Sequence, residues 1–228
     1  MSNLFTDPPR LPLIAPSILS ADFTRMGDDC RAVLEGGADL LHLDVMDGHF
    51  VPNLTMGPDM CLWLRRAMPK AFLDVHLMVT DPGRFVEPFI KAGANHLTFH
   101  LEVMDDRGLR DLATKVRSLG ATAGLAINPP TSIDRAMGLI DAFDLFLVMS
   151  VNPGFSGQKF ISEVLTKVRA LKPRLSRAQR LEMDGGLGVD NAASVREAGC
   201  DVMVAASAIF GVASAARSGV IRQLRTDA

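Results

Sequence analysis

The 228-residue sequence predicts an α/β protein built as a single (β/α)8 TIM barrel. Three observations carry the prediction. Apolar runs of strand length alternate with helical patterns from end to end, which indicates a parallel sheet with crossover helices. Eight such units fit the chain at roughly 28 residues each, the size of a compact barrel. No linker, low-complexity segment or change of composition divides it. Residues 11–228 therefore read as one barrel domain behind a short N-terminal extension, residues 1–10. An open doubly wound sheet is the structural alternative, but it usually carries a glycine-rich turn after its first strand. Here that turn is Ser17-Ile18-Leu19-Ser20-Ala21-Asp22.

The first strand is expected at about 11–19, followed by a helix at 22–36 that Gly36 and Gly37 close. The second strand falls at 39–46 with a helix at 57–67, and the third at 71–79 with a helix at 82–92 stopped by Gly93. The fourth strand, 95–101, leads to a helix at 105–119 ending before Gly120. The fifth, 121–127, precedes a helix at 132–141, and the sixth, 143–149, a helix at 160–172. The seventh strand, 179–184, feeds a helix at 190–199 ending on Gly199, and the eighth, 201–205, a last helix at 212–225. Glycine just beyond a helix accepts the left-handed conformation that ends it.

Composition narrows the function. Hydrophobic content of 48% and charged content of 22% describe an ordinary globular protein with ample core. A net charge of −2, with no basic run, argues against nucleic acid or an anionic membrane as partner. No apolar stretch approaches the ~20 residues of a spanning helix. Met1 to Arg10 is polar and proline-bearing, unlike a signal peptide. Cys30, Cys61 and Cys200 lie far apart, as free thiols of a reducing compartment would. Asn53-Leu54-Thr55 matches the glycosylation pattern, but without export it reads as coincidence. A cytoplasmic enzyme is the expectation.

The chemistry sits at strand ends. Residues two apart on a strand share a face, so His42 and Asp44 point one way while Leu41, Leu43 and Val45 point the other. The same rule puts His76 with Met78, and Glu182 with Asp184. Polar groups inside an apolar run are costly to bury without a partner. His76 taken singly reads as readily as a core histidine, and Asp184-Gly185 as turn chemistry. Together, His42, Asp44, His76 and Asp184 make a two-histidine, two-carboxylate set suited to zinc, iron(II), cobalt or manganese. His100 and Glu102 at a further strand end would either support such ligands or simply pair at the barrel mouth. His49 and His96 read as structural. Met46, Met78 and Met149 fall at strand ends on the inner face, where methionine either fills core gaps or forms a dry wall against a flat intermediate.

Small-residue loops follow the last three strands: Val151 to Gln158, Asp184-Gly185-Gly186, and Ala205 to Phe210. Such loops let backbone N–H groups approach an anion, and a short helix beginning near Ser207 would add its positive end. Barrels often bind phosphate with their last two loops and an extra short helix.

These segments resemble the ribulose-phosphate 3-epimerase family. The resemblance runs from about Ile14 to Gly211. It is carried by Ile14 to Phe23, His42 to Pro52 (HLDVMDGHFVP), Asp74 to Val79 (DVHLMV), Val151 to Gln158 (VNPGFSGQ), Asp184-Gly185-Gly186 and Ser207 to Phe210. It implies a ribulose-phosphate-binding barrel of the pentose phosphate and Calvin pathways that interconverts D-ribulose 5-phosphate and D-xylulose 5-phosphate with one divalent metal ion. By this likeness His42, Asp44, His76 and Asp184 are the metal ligands, and Asp44 and Asp184 are also the catalytic acid and base. Ser17, His42 and His76 would touch the sugar, and Met46, Met78 and Met149 would line the intermediate. Gly154, Phe155, Ser156, Gly157, Gly185, Gly186, Ala206 and Ser207 would hold the phosphate. The family commonly assembles, so a homo-oligomer is expected. Ser156 and Ala206 stand where the family commonly has glycine, with altered phosphate affinity as the expected consequence.

Three rivals share the barrel. A Schiff-base aldolase needs a strand-end lysine, and related decarboxylases resemble an Asp-x-Lys-x-x-Asp pattern on the third strand. Here that stretch is Asp74-Val75-His76-Leu77-Met78-Val79. A non-catalytic sugar-phosphate binder would not need the full metal and acid–base set. An epimerase of a six-carbon ketose phosphate stays open at this level.

Overall fold

The computed structural model describes residues 3–226. Eight strands alternate with helices: β1 Leu13–Pro16, β2 Leu41–Met46, β3 Leu73–Met78, β4 His96–His100, β5 Thr122–Ile127, β6 Leu145–Met149, β7 Arg180–Asp184 and β8 Val202–Ala205. All hydrogen-bonded neighbours run parallel, in the order β1-β8-β7-β6-β5-β4-β3-β2. The remaining seam, between β1 and β2, is held by a parallel bridge between Ser17 and His42. Asp39 reinforces it: its backbone N–H donates to the Ile14 carbonyl at 3.0 Å, and its carboxylate accepts from the Ile14 N–H at 2.8 Å. The sheet is a nearly closed (β/α)8 barrel, as the alternation predicts.

The helices are α1 Met26–Glu35, α2 Pro58–Ala67, α3 Val86–Ala92, α4 Asp106–Ser118, α5 Asp134–Met137, α6 Leu165–Leu171, α7 Val189–Glu197, α8 Ser207–Phe210 and α9 Ser214–Arg225. Several elements differ from the sequence pattern, among them the first strand and two helices. The first strand stops at Pro16, where Ser17 caps a single 3-10 turn over Ile18–Ser20. The expected helix at 132–141 shrinks to α5 and a 3-10 turn at Ile140–Ala142. The expected helix at 160–172 begins at a 3-10 turn over Ser162–Val164; Ile161 before it is extended and donates its N–H to the Ser150 carbonyl at 2.9 Å.

Most of the core lies between the strands and the ring of helices. Inside the barrel the filling is divided. Leu13, Ala15, Ala126, Leu145, Leu147, Val202 and Val204 form an apolar half from β1, β5, β6 and β8. The half contributed by β2, β3, β4 and β7 is polar: His42, Asp44, Asp74, His76, His96, Thr98, His100 and Glu182 are all buried. Phe5, fully buried, packs with the apolar half and meets the Phe72 and His96 rings edge-on at 4.8 Å. The segment before β1 is thus a stopper in the barrel.

Candidate active site

Register builds the site. Parallel pairing sets His42 beside Asp74, Asp44 beside His76 and Met46 beside Met78, so β2 and β3 present matched layers to the interior. On the far side, β6 and β7 pair Met149 with Asp184. The i, i+2 rule therefore acts on every strand at once, and groups distant in sequence meet at the C-terminal ends of the strands. One ligand atom from each of His42, Asp44, His76 and Asp184 lies within 4.8 Å of the other three. His42 Nε2 is 3.3 Å from Asp44 Oδ1. His76 Nδ1 is 3.2 Å from the same oxygen and 3.7 Å from Asp184 Oδ2. Ser17 Oγ donates to Asp44 Oδ2 at 2.5 Å.

Whether this set suits a cation is tested by His42. Its Nδ1 is bonded to Asp74 Oδ2 at 2.7 Å, whereas its Nε2, sealed from solvent, has no hydrogen-bond partner. A buried nitrogen left unpaired among carboxylates is costly unless a proton or a metal faces it. Two imidazoles and two carboxylates at this spacing fit a divalent metal ion.

The two carboxylates differ in character. Burial disfavours the Asp44 charge, but the neighbouring His42 charge and the hydrogen bond from His76 outweigh it and hold Asp44 far below the usual carboxylate range. Burial together with the neighbouring Asp44 charge pushes Asp184 up to about 8. Burial lowers His42, yet Asp44 and Asp74 more than offset it, so this imidazole is raised well above its ordinary value. Burial drives His76 down to about 4. Glu182, fully buried beneath the site, is raised above the usual carboxylate range by burial and by the Asp74 charge. The i, i+2 alternation puts Asp74 on the face of His76 and Glu182 on that of Asp184. The sequence pattern by itself assigns neither a role.

Above the carboxylates a pocket opens between the strand ends. Ser17, Asp44, Met46, Met78, Met149, Gly154, Phe155, Ser156, Gly157, Asp184, Gly185, Gly186, Ala206 and Ser207 line it. His42 and His76 do not. They are fully buried and reach the space only through the cluster. Leu19, Val151, Pro153, Gln158, Leu187 and Val204 line the pocket as well, and of these Leu187 lies outside every segment the sequence singles out. Met46 and Met78 pack with Val51, while Met149 belongs to the apolar half, so the methionines approach from two sides.

The loops are braced. Ser150 Oγ donates to the carbonyls of Asp184 and Gly185 at 3.0 and 2.6 Å, tying the end of β6 to the end of β7. Gln158 Nε2 donates to the Asn152 and Phe155 carbonyls at 2.6 and 2.9 Å. Gly186 has a φ of 65°, and a Cβ there would stand 2.7 Å from the Phe160 nitrogen. Only glycine suits it. No non-glycine residue among those described has a positive φ, so Ser156 and Ala206 occupy their places without left-handed strain.

Comparison with known proteins agrees with this geometry. A model of the Ribulose-phosphate 3 epimerase family matches residues 13–210. The chain is 47% identical over 201 residues to a ribulose-phosphate 3-epimerase of Synechocystis, covering 87% of each chain. It is 48% identical over 204 residues to that of Serratia marcescens, covering 87% of this chain and 95% of the relative. Among solved structures, 3-keto-L-gulonate-6-phosphate decarboxylase from Vibrio cholerae superposes with a TM-score of 0.71 at 15% identity, covering 94% of this chain and 98% of that one. At that identity the likeness shows the shared barrel alone.

Proposed function

The chain belongs to the ribulose-phosphate 3-epimerase family and is an isomerase. From that premise we propose that it interconverts D-ribulose 5-phosphate and D-xylulose 5-phosphate with Asp44 and Asp184 as a two-carboxylate acid–base pair. The observation that carries this reading is their placement: Asp44 from β2 and Asp184 from β7 both line the pocket, with an oxygen of each within 4.8 Å of the other. Inverting a carbon next to a carbonyl requires one group to take a proton from one face and another to return one to the opposite face. Paired carboxylates whose environments differ are suited to such a division. The ionised one abstracts the carbon 3 proton, the protonated one delivers from the other side, and their roles exchange in the reverse direction.

His42, Asp44, His76 and Asp184 would hold one divalent ion, zinc, iron(II), manganese or cobalt. When bound, this ion supplies Lewis-acid stabilisation of the charge that develops on the carbon 2 oxygen. Ser17 donates to Asp44 and fixes its carboxylate plane. Met46, Met78 and Met149 would exclude water from the flat enediolate. Gly154 to Gly157, Gly185, Gly186, Ala206 and Ser207 would grip the phosphate with backbone N–H groups, which orients the sugar and retains the intermediate.

We read the protein as cytoplasmic and homo-oligomeric, with residues 11–228 the catalytic unit and no nucleic-acid partner. Among the described residues no helix is long and apolar enough to cross a membrane. The test is turnover of five- and six-carbon ketose phosphates before and after chelation. Metal-dependent epimerisation of the five-carbon substrate supports the proposal. Preference for a six-carbon ketose phosphate, or turnover that survives chelation, overturns it.

A further inference from the structure

Behind His76, on the side away from the pocket, lies a chain of polar groups that the mechanism above does not use. His76 Nε2 is 2.8 Å from His100 Nε2. The two ring centroids are 5.0 Å apart and the planes only 20° apart. With the facing nitrogens this close, the rings meet edge to edge in nearly one plane, the arrangement that aims an N–H at a lone pair. His100 Nδ1 is in turn 3.2 Å from Glu102 Oε2. Glu102 Oε1 accepts the Asn128 backbone N–H at 2.9 Å. Lys167 Nζ clamps that loop by donating to the carbonyls of Asn128, Pro129 and Thr131 at 3.0, 2.7 and 2.6 Å. Phe50 covers His100, with ring centroids 4.7 Å apart.

With a cation at His76 Nδ1, one proton order satisfies the whole chain. A carboxylate only accepts, so His100 keeps its proton on Nδ1 and donates a hydrogen bond to Glu102. His100 Nε2 is then a lone pair and accepts from His76 Nε2–H. His76 Nδ1 is left as a lone pair aimed between Asp44 and Asp184. The arrangement parallels Asp74 behind His42, but with an extra imidazole inserted between ligand and carboxylate. We infer that His100, anchored by Glu102, is a positioning residue that fixes the tautomer and ring plane of His76 for metal binding. Such outer partners commonly change metal affinity by about 10–100-fold when removed.

This inference rests on the metal-site reading, and the experiment separates the two. Chelated protein is titrated with Co(II), following its visible absorption, for wild type, His100→Leu, His100→Gln and Glu102→Gln. The unfolding temperature of each chelated variant is recorded alongside. Wild type is expected to bind one Co(II) per chain. His100→Leu, which offers no acceptor, should bind it about 10–100-fold more weakly, with an altered spectrum. His100→Gln, whose amide oxygen accepts from His76 Nε2–H, should recover most of that loss, which a purely packing role would not produce. Glu102→Gln should fall between wild type and the leucine variant. Equal Co(II) affinity and spectra in the leucine and glutamine variants would overturn the inference. If the leucine variant does not fold, a Glu102→Gln protein indistinguishable from wild type overturns it instead. Failure of wild type to bind Co(II) would remove the metal site itself and the inference with it.

Discussion

Asp184→Asn separates acid–base chemistry from architecture. The substitution keeps the shape of the side chain and removes its ability to exchange a proton. The Asp184 carbonyl accepts from the Ser150 backbone N–H at 2.7 Å and from its hydroxyl at 3.0 Å, and asparagine leaves both bonds in place. General acid–base catalysis contributes roughly 10²–10⁴-fold, or about 2.7–5.5 kcal/mol of barrier. We therefore expect kcat to fall by that factor at saturating metal. The metal-free fold should not suffer, since burial and Asp44 already favour the neutral form of this group. The assay is formation of xylulose 5-phosphate by a coupled enzyme, with Co(II) titrated in parallel so that a lost ligand is not mistaken for a lost acid. An asparagine variant keeping more than about a tenth of the wild-type kcat would refute the assignment, being well outside the range such catalysis supplies.

Further outcomes follow from the same geometry. Asp184 has its carboxyl raised from 3.8 to about 8 on folding, so the unfolded chain ionises first; stability of the chelated protein should fall as pH rises from about 4 to 8, and less steeply in Asp184→Asn, as measured by denaturant titration. Gly186→Ala forces a Cβ to 2.7 Å from the Phe160 nitrogen at a φ of 65°, and should raise KM for the phosphorylated ketose about tenfold or more, read from initial rates. Phe5→Ala should cost about 3–5 kcal/mol of stability by denaturant titration while leaving kcat at low temperature unchanged, because the ring lies among Leu13, Ala15 and Leu145 and not in the pocket.

Much of the site was legible because strand alternation is a local rule. His42 with Asp44 and Glu182 with Asp184 are each visible as i, i+2 pairs, and the barrel merely brings their common face inward. What local pattern does not carry is which strands stand side by side. The support of His42 by Asp74 depends on β2–β3 register, and that of His76 by His100 on β3–β4 pairing. Residues 1–10 read as an extension because the stretch is polar on average. Phe5 is nevertheless buried, since its partners Leu13, Phe72 and His96 come from three other segments. The expected helix at 160–172 also begins late, with Ile161 in an extended conformation and tied to Ser150 at the end of β6. Ser156 and Ala206 showed as departures from the family pattern. Neither has a positive φ, so the left-handed conformation that calls for glycine is absent at both places.

The sharpest test is the fate of hydrogen at carbon 3. Ribulose 5-phosphate incubated with the metal-loaded enzyme in heavy water should yield xylulose 5-phosphate carrying solvent deuterium at that carbon, with the carbon chain intact. Product that retains its original hydrogen there, or fragments from a broken carbon–carbon bond, would contradict inversion by two opposed carboxylates.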